Sequence, residues 1–363
     1  MSTSNMVRIA VMAGDGIGPE VTDVTVALLE RLAKRHGLGL AAERLAAGAF
    51  VYRETGSAMS EETFRRAEAA DAILLGAMGW PGIRASDGTE LAPQIDLRVR
   101  LGLYAGVRPI RTIPGVPTAL ADPRAAGIDF VVLRESTEGL FFSRRQGEVR
   151  EDREARETLR ITRETTTRLA HFAFRLAAER AARLGRPGRV TLVDKANVFR
   201  AFAFMRRVFD EAATEHADIA ADHHYVDAMA LDLVRRPWDF DVLPTENMFG
   251  DILSDLAAGL IGGMGFAPSA DIGDNHAVFQ PSHGTAPDIA GQGIANPTAM
   301  LLSAAMMLDW LAGRGAGEKW REAARELEKA VDGAFAAGLR THDIGGGDGT
   351  AAAAKAVAER LQL

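Results

Sequence analysis

Along the first third of the chain, compact apolar runs alternate with apolar residues at helical spacing. Val7 to Val11 reads as a buried-type strand, and Gly14-Asp15-Gly16-Ile17-Gly18 follows as a loop. Pro19 stands where a first helical turn accepts proline, and Val21, Val24, Leu28 and Leu32 then share one helical face up to Gly37. A helical pattern from Glu61 to Ala69 leads into a strand-like run from Ala72 to Leu75. This alternation predicts an α/β protein with a sheet covered by helices.

Two more compact runs, Phe130 to Leu133 and Val190 to Val193, stop abruptly at Arg134-Glu135 and Asp194-Lys195. Charges at the ends of buried strands are common at α/β sites, because strand ends open into the crevice where ligands bind. Between them, Ser143 to Arg163 is charged and too poor in apolar residues for a core. A solvated loop and a hairpin arm reaching a second subunit fit it equally well. The last third is helical and alanine-rich, over 297–312, 317–338 and 350–361. No repeat or low-complexity linker marks a domain boundary.

Composition narrows the class. At about 100–200 residues per domain, 363 residues suggest two domains or one large α/β unit. Apolar residues at 47% and charged residues at 25% exclude a largely disordered chain. No apolar run approaches the ~18 residues of a membrane helix, and the apolar N-terminal run leads straight into a polar glycine loop, unlike a signal peptide. A net charge of −7 argues against nucleic-acid or anionic-membrane partners. Without cysteine, any metal must be held by oxygen or imidazole. A cytoplasmic enzyme or binding protein is expected.

Several segments carry chemistry. The glycine loop is weak evidence: its GxGxG spacing is not the GxGxxG of a dinucleotide fold, and a bare turn explains it better. Asp251 and Asp255 are four apart, so on a helix their carboxylates project from one face and repel. A bound divalent cation would explain the pair, and oxygen donors suit magnesium or manganese. Asp227 is a third acid in an apolar context; a helix cap with a solvated face is the plainer reading of these acids. Lys195 is one of only five lysines in an arginine-rich chain and ends a buried strand. Lysine can be tuned toward a general base where arginine cannot, and a structural ion pair with Asp194 is the plainer alternative. Arg98, Arg108 and Arg134 each lie near a segment end and suit carboxylate recognition as a set. Taken singly, each is expected at the surface.

Read together, seven strings resemble the β-decarboxylating dehydrogenases, the family of isopropylmalate, isocitrate, homoisocitrate and D-malate/tartrate dehydrogenases. They are GDGIGPE (14–20), LRVRLGLYAGVRP (97–109), RESTEG (134–139), VDKANV (193–198), HYVDAMALDLV (224–234), TENMFGDILSDLAAGL (245–260) and HGTAPDIAGQGIANPTA (283–299). They run in family order over nearly the whole chain, and their wording is closest to the 3-isopropylmalate enzymes.

The resemblance implies a mixed parallel/antiparallel sheet flanked by helices, not a Rossmann fold. It implies two discontinuous domains, 1–102 with 263–363 for the cofactor and 103–262 for substrate and dimerisation, with an arm near 141–163. It implies a homodimer with shared active sites, acting on a malate-type 2-hydroxy acid with NAD and Mg²⁺ or Mn²⁺. Arg98, Arg108 and Arg134 would clamp the carboxylates. Asp251 and Asp255 of one subunit, with Asp227 of the other, would hold the metal. Lys195 from the partner subunit would take the hydroxyl proton. His283, Gly284, Thr285, Ala286, Pro287, Asp288 and Asn296 would bind the adenosine half of the cofactor, and Asn197 would lie near the nicotinamide.

Three departures stand out. Phe141 occupies the position where the family usually has the tyrosine assigned the acid role. Ala92 and Gln94 replace the serine and asparagine of isocitrate enzymes. Leu91 and Gln94 replace the glutamate and leucine of isopropylmalate enzymes. A buried Gln94 amide would prefer a hydrogen-bonding substituent to an isopropyl group. The expected activity is oxidation and decarboxylation of 3-isopropylmalate, with D-malate, tartrate or another 3-substituted malate as alternatives. A non-catalytic regulatory subunit is the competing class.

Overall fold

The computed structural model describes residues 6–144 and 146–363. In chain order the elements are β1 (Val7–Met12), α1 (Gly18–His36), β2 (Leu40–Arg44), α2 (Ala49–Thr55), α3 (Glu61–Glu68), β3 (Ala72–Leu75), α4 (Pro93–Arg100), β4 (Ala105–Arg111) and β5 (Asp129–Glu135). Then come β6 (Glu148–Arg150), β7 (Glu154–Arg156), α5 (Arg163–Leu184), β8 (Arg189–Asp194), α6 (Arg200–Ala213), β9 (Ala220–Tyr225), α7 (Val226–Arg235), β10 (Val242–Thr245) and α8 (Asn247–Leu260). The chain finishes with β11 (Pro268–Ile272), β12 (Ala277–Pro281), α9 (Thr298–Leu311), α10 (Glu318–Ala336) and α11 (Thr350–Arg360).

Ten strands form one mixed sheet in the order β2-β1-β3-β12-β11-β4-β5-β10-β8-β9. The strands from β2 to β12 run parallel, as do those from β5 to β9, while β12-β11-β4-β5 pair antiparallel through the middle. The first five strands in this order come from the two ends of the chain, and the last five from its middle. β3 and β10, both interior strands, are buried along their whole length, and the Thr245 hydroxyl at the end of β10 is satisfied by the Val193 carbonyl at 2.9 Å. α9, buried through most of its length, packs against β11 and β12 and against α10.

The local signals acted as expected at most ends. α1 stops at Gly37, which is left-handed (φ 63°) and returns its N–H to Lys34. Of the four expected apolar face residues, Val21, Leu28 and Leu32 are buried, whereas Val24 lies at the margin. The segment open between loop and arm contains a hairpin: β6 and β7 pair antiparallel and are exposed. Residue 145, within the expected arm, lies outside the described residues. Among the described residues, no helix is long and apolar enough to cross a membrane.

Candidate active site

The GxGxG loop is more than a bare turn. Asp15 is buried, and its carboxylate accepts from the backbone of Ala49 (2.7 Å), Phe50 (3.1 Å) and Gly79 (2.8 Å), so one acid pins two other chain segments to the loop. Gly16 sits at φ 59°, and a Cβ there would come within 2.1 Å of the Thr285 carbonyl; the Ile17 N–H donates to that same carbonyl at 2.9 Å. Sequence spacing could not show that the loop docks on the 283–288 segment.

The stretch just beyond it, 295–298, is held from several sides. Glu20 accepts from the Ala295 N–H at 3.0 Å and from the Thr350 hydroxyl. Asn296 is buried and committed at both ends of its amide, donating to Asp343 at 3.0 Å and accepting from the Thr298 N–H at 3.0 Å. Burial lowers the His283 pKa, and its Nε2 is enclosed without a hydrogen-bond partner. Gly284, Pro287 and Asp288 are exposed, Thr285 is buried, and Ala286 takes a positive φ of 38°. An orphaned ring nitrogen beside exposed backbone and a free-standing carboxylate suits a polar ligand such as a nucleoside.

At the sheet centre the three arginines come together, and all three are buried: Arg98 is 7%, Arg108 4% and Arg134 6% exposed. The expectation of surface positions fails because Asp271, near the end of β11, supplies Arg98 and Arg108 with a buried counter-charge, and Asp251 pairs with Arg134. Its carboxylate bonds Arg98 Nε at 2.8 Å and Arg108 Nη2 at 3.2 Å. Burial would raise the Asp271 pKa, but Arg98, Arg108 and Arg134 outweigh it and hold the group below the usual range. Burial, and then repulsion from Arg98, lower Arg134 to about 10; burial likewise lowers Arg108.

Arg134 bridges to the next helix, donating to Asp251 through Nη1 and to Asn247 Oδ1 through Nη2 at 2.9 Å. This needs α8 close against β5: a Cβ on Gly250 would meet the Arg134 side chain at 2.7 Å. Arg134 Nε is enclosed and unpartnered. The Phe141 ring centroid lies 5.7 Å from the Arg134 Cζ, so the departing position borders the cluster. Leu91 is buried, and Gln94 stands one turn before Arg98 on α4, its Oε1 enclosed without a partner.

Asp251 and Asp255 lie one turn apart on α8, as the spacing predicts, and both are exposed. Burial and then the Asp251 charge raise the Asp255 pKa. Asp227, in the first turn of α7, is not with them. It accepts from Lys195 Nζ, and this hydrogen bond holds its pKa down. The expected alternative partner of Lys195, Asp194, is instead bound by Arg206 at 2.8 and 2.7 Å. Asn197 is exposed in the turn after Lys195. Among the described residues, no group of three His, Asp or Glu on one chain could hold a metal. The single chain thus carries two half-sets: an arginine cluster with the Asp251–Asp255 pair, and the Lys195–Asp227 pair. Exposed apolar side chains accompany them, with Met248 and Ile252 on α8, Val198 and Phe199 beside Lys195, and Tyr225, Leu231 and Val234 at α7.

Comparisons with known proteins agree in kind. A family profile described as isocitrate/isopropylmalate dehydrogenase matches residues 8–361. A 3-isopropylmalate/3-methylmalate dehydrogenase of Methanocaldococcus jannaschii is 42% identical over 360 residues, covering 98% of this chain and 99% of that protein. A 3-isopropylmalate dehydrogenase of Xanthomonas oryzae is 41% identical, covering 93% of each. The crystal structure of isocitrate dehydrogenase from Methylococcus capsulatus aligns with TM-score 0.84 at 36% identity, over 99% of this chain and 100% of that one. A β-decarboxylating dehydrogenase from Thermococcus kodakarensis, in its apo form, aligns with TM-score 0.79 at 37% identity, over 98% and 96%.

Proposed function

The chain belongs to the isocitrate/isopropylmalate dehydrogenase family of oxidoreductases, and from that premise we propose that it oxidises and decarboxylates a 3-substituted malate, using NAD and Mg²⁺ or Mn²⁺, as a cytoplasmic homodimer. The observation that carries the reading is the buried trio Arg98, Arg108 and Arg134. Three guanidiniums shielded from water suit a dicarboxylate and little else of that size.

In this reading the arginines bind and orient the substrate carboxylates, with Arg134 fixed by Asp251 and Asn247. Asp251 and Asp255 offer hard oxygen donors on one helix face, and their mutual repulsion is what a cation relieves. The donor set on one chain is incomplete, and Asp227 of a second copy completes it. The exposed apolar residues flanking both half-sets support such a dimer, since a C2 pairing would bury them. Lys195 of that copy, as the neutral amine, takes the substrate hydroxyl proton, and Asp227 beside it holds the ammonium that results. When bound, the divalent cation supplies Lewis acidity and the nicotinamide accepts the hydride. The 283–288 loop with Asp288 binds the adenosine half, and Asn197 lies toward the nicotinamide. Because the committed amide of Asn296 already bonds Asp343 and Thr298, it fixes the start of α9 rather than offering a free side chain. The sheet order supports dividing the chain into 1–102 with 263–363 and 103–262.

Among side groups, 3-isopropylmalate is the first candidate from the relatives' names. The enclosed, unpartnered Gln94 oxygen favours a substituent that can hydrogen-bond, such as the hydroxyl of tartrate. The test is a screen of D-malate, tartrate, 3-methylmalate and 3-isopropylmalate, following NADH and carbon dioxide with the purified chain alone. Turnover that stops on chelation and returns with Mg²⁺ or Mn²⁺ supports the reading. Absence of turnover on all four would leave the regulatory-subunit alternative standing.

A further inference from the structure

Asp271 sits at the centre of the arginine cluster, and the reaction outlined above does not use it. A carboxylate in an otherwise small and apolar strand is costly unless its surroundings satisfy it. Here they do, from four different elements. Oδ1 accepts from Arg108 Nη2 on β4 at 3.2 Å and from the Ser136 hydroxyl beyond β5 at 3.1 Å. Oδ2 accepts from Arg98 Nε on α4 at 2.8 Å and from Gln280 Nε2 on β12 at 3.2 Å. Each oxygen therefore holds one guanidinium and one neutral donor. The neutral donors fix the carboxylate, and the carboxylate fixes the guanidiniums. Arg134 stands outside this arrangement, with Asp251 and Asn247 as its partners.

We propose that Asp271 is the positioning residue of the dicarboxylate site, setting the aim of Arg98 and Arg108 and lowering the surplus of buried positive charge that faces the substrate carboxylates. This rests on the reading of the arginine trio as a substrate clamp. With Asp271 neutral, Arg98 and Arg108 lose their common acceptor and repel one another and Arg134. Asparagine in its place turns an N–H₂ toward at least one donor, so that guanidinium must swing away. The hydrogen bond between Asp271 and Gln280 also offers a repair: Asp271→Asn with Gln280→Glu moves the carboxylate across one 3.2 Å contact and keeps one acid and one amide.

The test is calorimetric titration of D-malate into the full chain with Mg²⁺, alongside thermal melting. Asp271→Asn is expected to weaken D-malate binding about tenfold or more, the effect of losing one charge-assisted hydrogen bond. The double variant is expected to return to within about threefold of wild type, as the relocated carboxylate restores the charge-assisted bonds. Wild-type affinity in Asp271→Asn overturns the proposal. So does a double variant that regains the melting temperature without regaining affinity, because the role would then be structural only. If Asp271→Asn does not fold, Ser136→Ala decides, since it loosens Asp271 without touching a guanidinium, its other contact being the Arg134 backbone carbonyl at 3.4 Å: weakening of about threefold or more supports the proposal, being the size of one neutral hydrogen bond, and unchanged affinity overturns it. Absence of D-malate binding in the wild type overturns the clamp reading together with this proposal, a result distinct from all the others.

Discussion

Replacing Arg134 by lysine keeps the positive charge and removes the fork. In the native arrangement Nη1 serves Asp251 and Nη2 serves Asn247 at 2.9 Å, while the stem lies against Gly250 with the side chain 8% exposed. A lysine ammonium can reach one of these partners from the same stem, not both, and cannot present two parallel N–H groups to a carboxylate. The loss is one charge-assisted hydrogen bond, about 1.5–3 kcal/mol. That corresponds to a fall of about 10–150-fold in kcat/KM. Because the ammonium still offsets Asp251, the melting temperature should shift by only a few degrees. Initial rates of NADH formation on the best malate of the screen, with kcat and KM separated, measure the effect; binding of the ground-state carboxylate places most of it in KM. A kcat/KM within threefold of wild type refutes the reasoning, as does a loss matched by collapse of the melting temperature.

Three further expectations follow from other parts of the structure. On the proposed reading Asp288 accepts from the adenosine ribose hydroxyls and repels a 2′-phosphate, so kcat/KM should strongly favour NAD over NADP; comparable values for both refute that role. Phe141 borders Arg134 without a hydroxyl, so Phe141→Tyr should speed carbon dioxide release relative to NADH formation if enolate protonation is slow. A wild type that decarboxylates as fast as it oxidises, and is slowed by tyrosine, assigns Phe141 to pocket shape instead. Burial raises the Glu135 carboxyl to about 7, so the folded state holds a proton that the unfolded state releases near the ordinary carboxylate range. Its stabilising contribution, about 3 kcal/mol, is therefore full below pH ~4.5 and lost as pH rises through ~7. Denaturant titrations should show that decline flattened in Glu135→Gln, and an unchanged pH profile refutes it.

Much of this architecture was legible in the sequence because buried parallel strands write themselves as unbroken apolar runs. Ala72 to Leu75 and Val190 to Val193 fall within strands, and Gly37 ends its helix as a left-handed cap. The Asp251–Asp255 spacing likewise gave their shared helix face, since helical period is local. What stayed hidden depends on long-range contact. Asp15 looked like a loop polar residue, and only the fold shows three backbone N–H groups converging on it. Arg98 and Arg108 looked like surface residues because their counter-charge, Asp271, lies 163 or more positions away. Asp271 itself left one signal, an acid inside the small, apolar run Ala267-Pro268-Ser269-Ala270-Asp271-Ile272. The separation of Asp227 from Asp251 depends on where α7 and α8 fall in the fold, which no local spacing encodes.

In the proposed site, one chain's arginines and Asp251 act on substrate together with Lys195 and Asp227 of a second copy. The direct measurement is complementation: Lys195→Met and Asp251→Asn, each purified as an inactive homodimer, are mixed, dissociated and reassociated. A shared site makes one of the two centres in every mixed dimer wild type, so about a quarter of wild-type NADH formation should return in an equal mixture. If reassociated mixtures stay as inactive as the parents while a wild-type control regains its rate, each chain builds its site alone and the account is contradicted.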